Sequence, residues 1–205
     1  MTPEQVTAGP LPYLRYLPQG QNYPLLLFLH GAGEPGSDLK HVGDHGLNDI
    51  LERLPEPTLV LAPQCPEDTR WTDKLAALET LIGDTAATFP VDPARIYLTG
   101  LSLGGQVTWY LAARAAERFA ALVPICGRSN PAEAERLGSL PIWVFHGDSD
   151  DTVPLAESTT MVRVLKETGN DAKLTVFPAT AHNSWAPAYS TLELYTWLFA
   201  QRRSN

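Results

Sequence analysis

Four short segments carry side chains able to do chemistry. Gly100-Leu101-Ser102-Leu103-Gly104 is a G-x-S-x-G pattern, preceded by the run Arg95 to Thr99 and followed by a helical pattern from Gln106. A serine on a sharp strand-to-helix turn is pushed clear of the backbone, beside a helix N-terminus that favours negative charge. Such a serine can attack a carbonyl once a base takes its proton. The flanking glycines keep bulk away from the adjoining strand and helix. His30-Gly31-Ala32-Gly33-Glu34 offers a glycine-rich backbone whose N–H groups could stabilise the oxyanion that the attack creates. His146-Gly147-Asp148-Ser149-Asp150-Asp151 crowds three carboxylates behind another apolar run. One of them could hold an imidazole in its working tautomer, while another caps the helix that follows. Ala181-His182-Asn183-Ser184-Trp185 supplies an imidazole. Each segment alone is unremarkable as sequence; their joint presence points to acyl transfer through a serine nucleophile.

Positioning these groups requires a scaffold, and the hydrophobic pattern supplies one. Short apolar runs at Leu11 to Leu17, Pro24 to His30, Thr58 to Ala62, Arg95 to Thr99, Ala121 to Ile125, Pro141 to Phe145 and Lys173 to Phe177 read as strands. Between and after them, Leu75 to Phe89, Gln106 to Phe119, Leu155 to Thr168 and Tyr189 to Gln201 carry helical spacing. Pro90 and Pro93 are expected to end the first of these helices, and Gly169-Asn170 to cap the third. Strands alternating with helices predict an α/β fold, a mainly parallel central sheet with helices on both faces. In such sheets the working loops lie beyond the carboxyl ends of the strands. All four chemical segments fall there.

Composition narrows the function classes. The chain has 205 residues and a formal charge of −8, with 44% hydrophobic residues. That is expected to make a single domain, residues 1–205, with a substantial core and no length left for a large cap. The acidic balance argues against a nucleic-acid partner, and no apolar run approaches the roughly 20 residues of a membrane span. The first residues show no basic segment followed by an apolar one, and the two cysteines, Cys65 and Cys126, stand outside any C-x-x-C. A cytoplasmic protein with two unpaired, buried thiols is expected; pairing between them stays open. His41 and His45, four apart, superficially suggest a metal pair. Gly43 and Gly46 break the helix such a pair would need and no third ligand is evident, so no metal is expected. Trp71 and Trp185 could line a substrate cleft, with core packing as the rival for both; Trp143, inside a strand, reads as core.

Together, Phe28 to Glu34, Ala62-Pro63-Gln64-Cys65-Pro66, Tyr97 to Gly105, Val123 to Gly127, Val144 to Gly147 with Asp150 and Val153-Pro154, and His182 to Trp185 resemble the α/β-hydrolase superfamily. Within it they resemble small carboxylesterases of the phospholipase/carboxylesterase type and their relatives among serine peptidases and dienelactone-hydrolase-like proteins. The resemblance covers residues 24 to 200. The order Ser, then Asp, then His is that of the superfamily's triads. The resemblance implies Ser102 as nucleophile, His182 as base and Asp150 as acid, with Asp151 and Asp148 in reserve. It further implies an oxyanion hole from the N–H groups of Ala32 and Leu103, and no cofactor. Pro35 stands where relatives often carry a basic residue, and Leu103 where they often carry Met or Gln; neither change removes a catalytic group. The expected activity is hydrolysis of a small-molecule carboxylic ester. A lysophospholipase, thioesterase or serine peptidase of the same fold is the alternative, and a non-catalytic binding protein the rival from another class.

Overall fold

Seven consecutive buried residues, Tyr23–Leu29, form the central strand β3. The computed structural model describes residues 2–203. Eight strands make one sheet: β1 (Glu4–Val6), β2 (Tyr13–Tyr16), β3, β4 (Leu59–Pro63), β5 (Val91–Leu101), β6 (Ala121–Ile125), β7 (Trp143–Gly147) and β8 (Lys173–Phe177). Their order across the sheet is β1-β2-β4-β3-β5-β6-β7-β8. The first two strands pair antiparallel, as does β2 with β4; every other pairing is parallel.

Side chains of a strand alternate between faces, and here each face is buried by its own helices. Leu25, Leu27 and Leu29 of β3 join Leu59, Leu61 and Leu98 in one apolar layer. It is covered by α2 (Leu75–Thr88), α3 (Leu103–Ala115) and α4 (Ala156–Glu167), through Leu78, Val107, Leu111 and Met161. Leu26 and Phe28 face the other way with Val60 and Tyr97, against α1 (Leu47–Arg53), α5 (Trp185–Ser190) and α6 (Leu192–Ala200). Burial on both faces explains why β3 and β4 read as unbroken apolar runs. Each fully buried leucine contributes roughly 1.5–3 kcal/mol to holding the layers together. No connection between strands builds a cap over the strand ends among the described residues.

Several expected boundaries move for identifiable reasons. The strand expected from Arg95 begins at Val91, through Pro93, because the pairing with β3 shifts register between Tyr23 and Leu25 and leaves room for a residue without N–H. The helix expected over Tyr189 to Gln201 is two helices, broken at Thr191, which is extended at φ −77° and ψ 109°. Helix α1 starts at Gly46, whose φ is +75° and where a Cβ would lie 2.7 Å from the Tyr189 ring. That glycine caps the start of α1, while His41 lies in the short 3-10 helix Leu39–Gly43 and His45 in the turn between, so the two histidines share no helix. No helix among the described residues is long and apolar enough to cross a membrane.

Candidate active site

Ser102 sits between β5 and α3 at φ +53°, ψ −116°, a strained conformation for any residue with a Cβ. The strain is held by backbone on both sides. The Ser102 amide donates to Ile125 O at 2.9 Å, and the Ser102 carbonyl accepts from Gln106 N at 2.9 Å. The turn closes this tightly because residue 104 is glycine: a Cβ there would overlap the Leu29 carbonyl. Ser102 Oγ therefore emerges beyond the sheet, 2.7 Å from His182 Nε2.

His182 arrives from the loop after β8, and Asp150 from the loop after β7. These two loops are fastened by backbone, with Asp148 N donating to Phe177 O at 3.1 Å and Ser149 N to Thr180 O at 3.0 Å. Gly147 permits the approach, since a Cβ on it would overlap the Thr180 carbonyl. His182 Nδ1 then lies 2.7 Å from Asp150 Oδ2. The other oxygen, Oδ1, accepts the amides of Thr152 at 3.0 Å and Val153 at 2.9 Å. Burial works against the Asp150 charge, but the bonds from His182 and the two amides outweigh it and hold its carboxyl below the usual range. The other two carboxylates of the cluster are exposed. Asp148 takes the Ser149 hydroxyl, Asp151 lies within 3.4 Å of the Thr152 hydroxyl, and neither meets His182.

The glycine segment after β3 is carried against Ser102: a Cβ on Gly31 would lie 3.6 Å from Ser102 Cβ. The Gly31 amide is taken by Glu34 Oε2 at 2.9 Å, and Ala32, next in the chain, is exposed. Leu103 is the first residue of α3, so its amide has no intrahelical acceptor. Glu34 is 2% exposed; its Oε1 meets His45 Nδ1 at 3.0 Å, and burial, against the pull of His45, raises its pKa.

Two residues do work that sequence reasoning did not assign. His30 is fully buried. Its Nδ1 donates to Gly31 O at 2.7 Å, its Nε2 accepts from Cys65 N at 3.0 Å, and its carbonyl accepts from Trp71 Nε1 at 3.3 Å. One imidazole thus bolts the glycine segment to the loop after β4. Its signal in the sequence is a histidine continuing an otherwise apolar strand. The second is His146, which lies against Asp150.

The aromatic expectations divide. Trp71 is a correction: it is 1% exposed, and its ring lies tilted against that of His30 with centroids 4.9 Å apart, bracing the loop from within the core instead of lining a cleft. Trp185 is half-buried and lies edge-on to both His182, at 5.6 Å, and His45, at 5.7 Å. Trp143 stacks on Phe145. His41 and His45 each take a different carboxylate, Asp44 and Glu34, and do not converge. Cys65 and Cys126 are free and buried. Cys126 Sγ lies within 4.8 Å of ligand atoms of Asp150 and His182, and burial pushes its pKa up to about 12, so in the absence of a bound cation it stays a neutral thiol.

His30 has a consequence for stability. Burial, opposed by the bond to Gly31 O, pushes its pKa from 6.5 down to about 4. Between those values the unfolded chain binds a proton that the folded chain refuses, so stability falls as pH falls, by about 3 kcal/mol at the lower end. Urea midpoints measured from neutral pH down to about 4 are expected to fall more steeply in the wild type than in His30→Asn. Parallel curves would contradict this.

Comparison with known proteins places the chain among hydrolytic enzymes. The Dienelactone hydrolase family model matches residues 66–190. NocK of Nocardia uniformis subsp. tsuyamanensis, named an esterase, is 32% identical over 155 residues, 67% of this chain and 42% of that protein. Among solved structures, a thermostable esterase superposes with a TM-score of 0.85 at 34% identity, over 94% of this chain and 59% of that one. Est1E from Butyrivibrio proteoclasticus gives 0.76 at 16% identity, over 97% and 99% of the two chains, a likeness of fold. The chain spans less than two thirds of the NocK protein and of the thermostable esterase.

Proposed function

Because the chain belongs to the dienelactone hydrolase family of the α/β-hydrolase superfamily, we propose that it is a serine hydrolase of small carboxylic esters acting through an acyl-enzyme. The observation that carries this reading is the unbroken chain from Ser102 Oγ to His182 Nε2 and from His182 Nδ1 to Asp150 Oδ2, 2.7 Å at each step. His182 Nε2 takes the Ser102 proton as Oγ attacks the ester carbonyl. The imidazolium that forms is stabilised and kept in register by the ionised Asp150. The amides of Ala32 and Leu103 receive the oxyanion, their dipoles already oriented. Collapse of the tetrahedral intermediate breaks the bond to the alkoxy oxygen, which takes the proton from His182 and leaves as the alcohol. Water, activated by the same nitrogen, then attacks the acyl-enzyme and releases the acid.

Trp185, edge-on to His182, is the side chain best placed to meet the substrate. Esters are favoured over amides and peptides because an alkoxide leaves more readily than an amine, and the relatives at 32% and 34% identity are named esterases. The same reading places the enzyme in the cytoplasm, as one domain, where its two free thiols stay reduced.

A fluorophosphonate probe tests nucleophile, base and oxyanion donors at once. Stoichiometric labelling, mapped to Ser102 by mass spectrometry, is the expected result. Folded protein that does not label would favour a non-catalytic binding role. A series of p-nitrophenyl esters beside a peptide substrate then separates the alternatives. Rates rising beyond acyl chains of about eight carbons would indicate a lysophospholipase, each buried CH₂ being worth about 0.8 kcal/mol.

A further inference from the structure

Asp150 faces two histidines. His182 approaches Oδ2 at 2.7 Å from the solvent side, and His146 Nε2 lies 3.2 Å from the same oxygen in the interior. His146 belongs to β7 and has no exposed surface. Its Nε2 is also 2.8 Å from Val153 O, an atom that can only accept, so Nε2 carries a hydrogen. On the far side of the ring, Nδ1 lies 2.7 Å from Ser158 Oγ of α4. A neutral ring with its hydrogen on Nε2 presents Nδ1 as an acceptor, and the Ser158 hydroxyl donates into it.

We propose that His146, fixed in its Nε2–H tautomer by the Val153 carbonyl and held at Nδ1 by Ser158, is a positioning residue for Asp150 and, through it, for the base His182. This rests on the Ser102–His182–Asp150 reading above. The amides of Thr152 and Val153 pin Oδ1, and His182 is the moving partner on Oδ2. The His146 N–H bonds Val153 O at 2.8 Å with its nitrogen 3.2 Å from Oδ2, so its positive end holds the carboxylate beside the carbonyl of its own loop. It stops the carboxylate from rotating away when His182 gains and loses its proton. It also draws charge from Oδ2, so its loss leaves a more concentrated negative charge on Asp150 beside His182 and makes the imidazolium harder to deprotonate.

Other ionisable groups nearby do not take this part. The Cys126 thiol, close to both Asp150 and His182, is kept protonated by burial. Asp148 and Asp151 are exposed on the loop, and Glu157 of α4 is engaged by the Ser129 amide and faces Arg128 at 3.5 Å.

Three variants isolate the role. His146→Gln keeps an N–H near the Nε2 position, His146→Leu removes it, and Ser158→Ala removes the bond that holds the ring at Nδ1. Hydrolysis of p-nitrophenyl acetate is followed against pH, with rates expressed per site titrated by the fluorophosphonate. For His146→Leu, kcat is expected to fall about tenfold with KM within about twofold, and the acidic limb of the profile to move up by about half a pH unit. His146→Gln should retain the wild-type limb, and Ser158→Ala should fall between. A packing role alone would lower the titrated fraction and leave the limb in place; that result, or equal shifts for Gln and Leu, overturns the proposal. If His146→Leu does not fold, the limb of Ser158→Ala decides. The ¹⁵N NMR signals of histidine-labelled wild-type protein give a readout independent of turnover: hydrogen on Nε2 of His146 supports the assignment, and hydrogen on Nδ1 overturns it. Wild type that neither labels nor hydrolyses would instead refute the esterase reading.

Discussion

Replacing Ser102 by alanine should abolish ester hydrolysis, lowering kcat by about 10⁶-fold, while leaving the fold intact. The size follows from the proposed mechanism, in which Oγ is the atom that forms the acyl bond. Retention of the fold follows from what the hydroxyl does not do. The turn is held by the Ser102 amide and carbonyl, bonded to Ile125 and Gln106, and the side chain makes no capping bond to α3. Alanine at φ +53° carries the same Cβ and the same backbone strain as serine. Circular dichroism and the urea midpoint should therefore match the wild type within about 0.5 kcal/mol. Turnover by pure Ser102→Ala at the wild-type rate would remove the serine from the mechanism.

Asp150→Asn should lower kcat by about 10⁴-fold, with a different cause. The Thr152 and Val153 amides require an acceptor at the Oδ1 position, so the asparagine oxygen is held there and its NH₂ turns toward His182. Nδ1 must then accept, which moves the ring hydrogen to Nε2. In that tautomer His182 faces Ser102 Oγ with a hydrogen and cannot take another. The same NH₂ would also face His146 Nε2, 3.2 Å from that oxygen in the wild type, and so bring two N–H groups together. Burst kinetics with an active p-nitrophenyl ester check this: the acylation burst should slow with steady-state turnover. An unchanged burst rate would mean that Asp150 does not govern the tautomer.

Much of this was legible from the chain alone because it is local. The strand Lys173–Phe177 falls where alternation puts it, and the strand Ala121–Ile125 where an apolar run puts it. The G-x-S-x-G turn needs only its neighbours to be recognised. Asp150 was separated from Asp148 and Asp151 by family likeness alone; in space the difference is plain, since two amides and His182 converge on it and the others face solvent. What sequence reading missed depends on meetings between distant segments. His30 and Cys65 are 35 residues apart, and Trp71 reaches back to the His30 carbonyl. The edge strand β1 is three residues long and mostly exposed, and α5 carries Pro187 within six residues, so neither shows a period that could announce it.

The backbone fastening of the loop after β7 to the loop after β8 makes acid and base a single part, and the elbow carrying Ser102 a second. The two parts meet at a side-chain bond of 2.7 Å between Ser102 and His182. Evolution can thus retouch the residues around the elbow, its crowded glycines apart, while inheriting the Asp150–His182 pair whole. Exchanging the nucleophile for another of similar reach is a smaller step for this architecture than moving either partner of the Asp150–His182 pair.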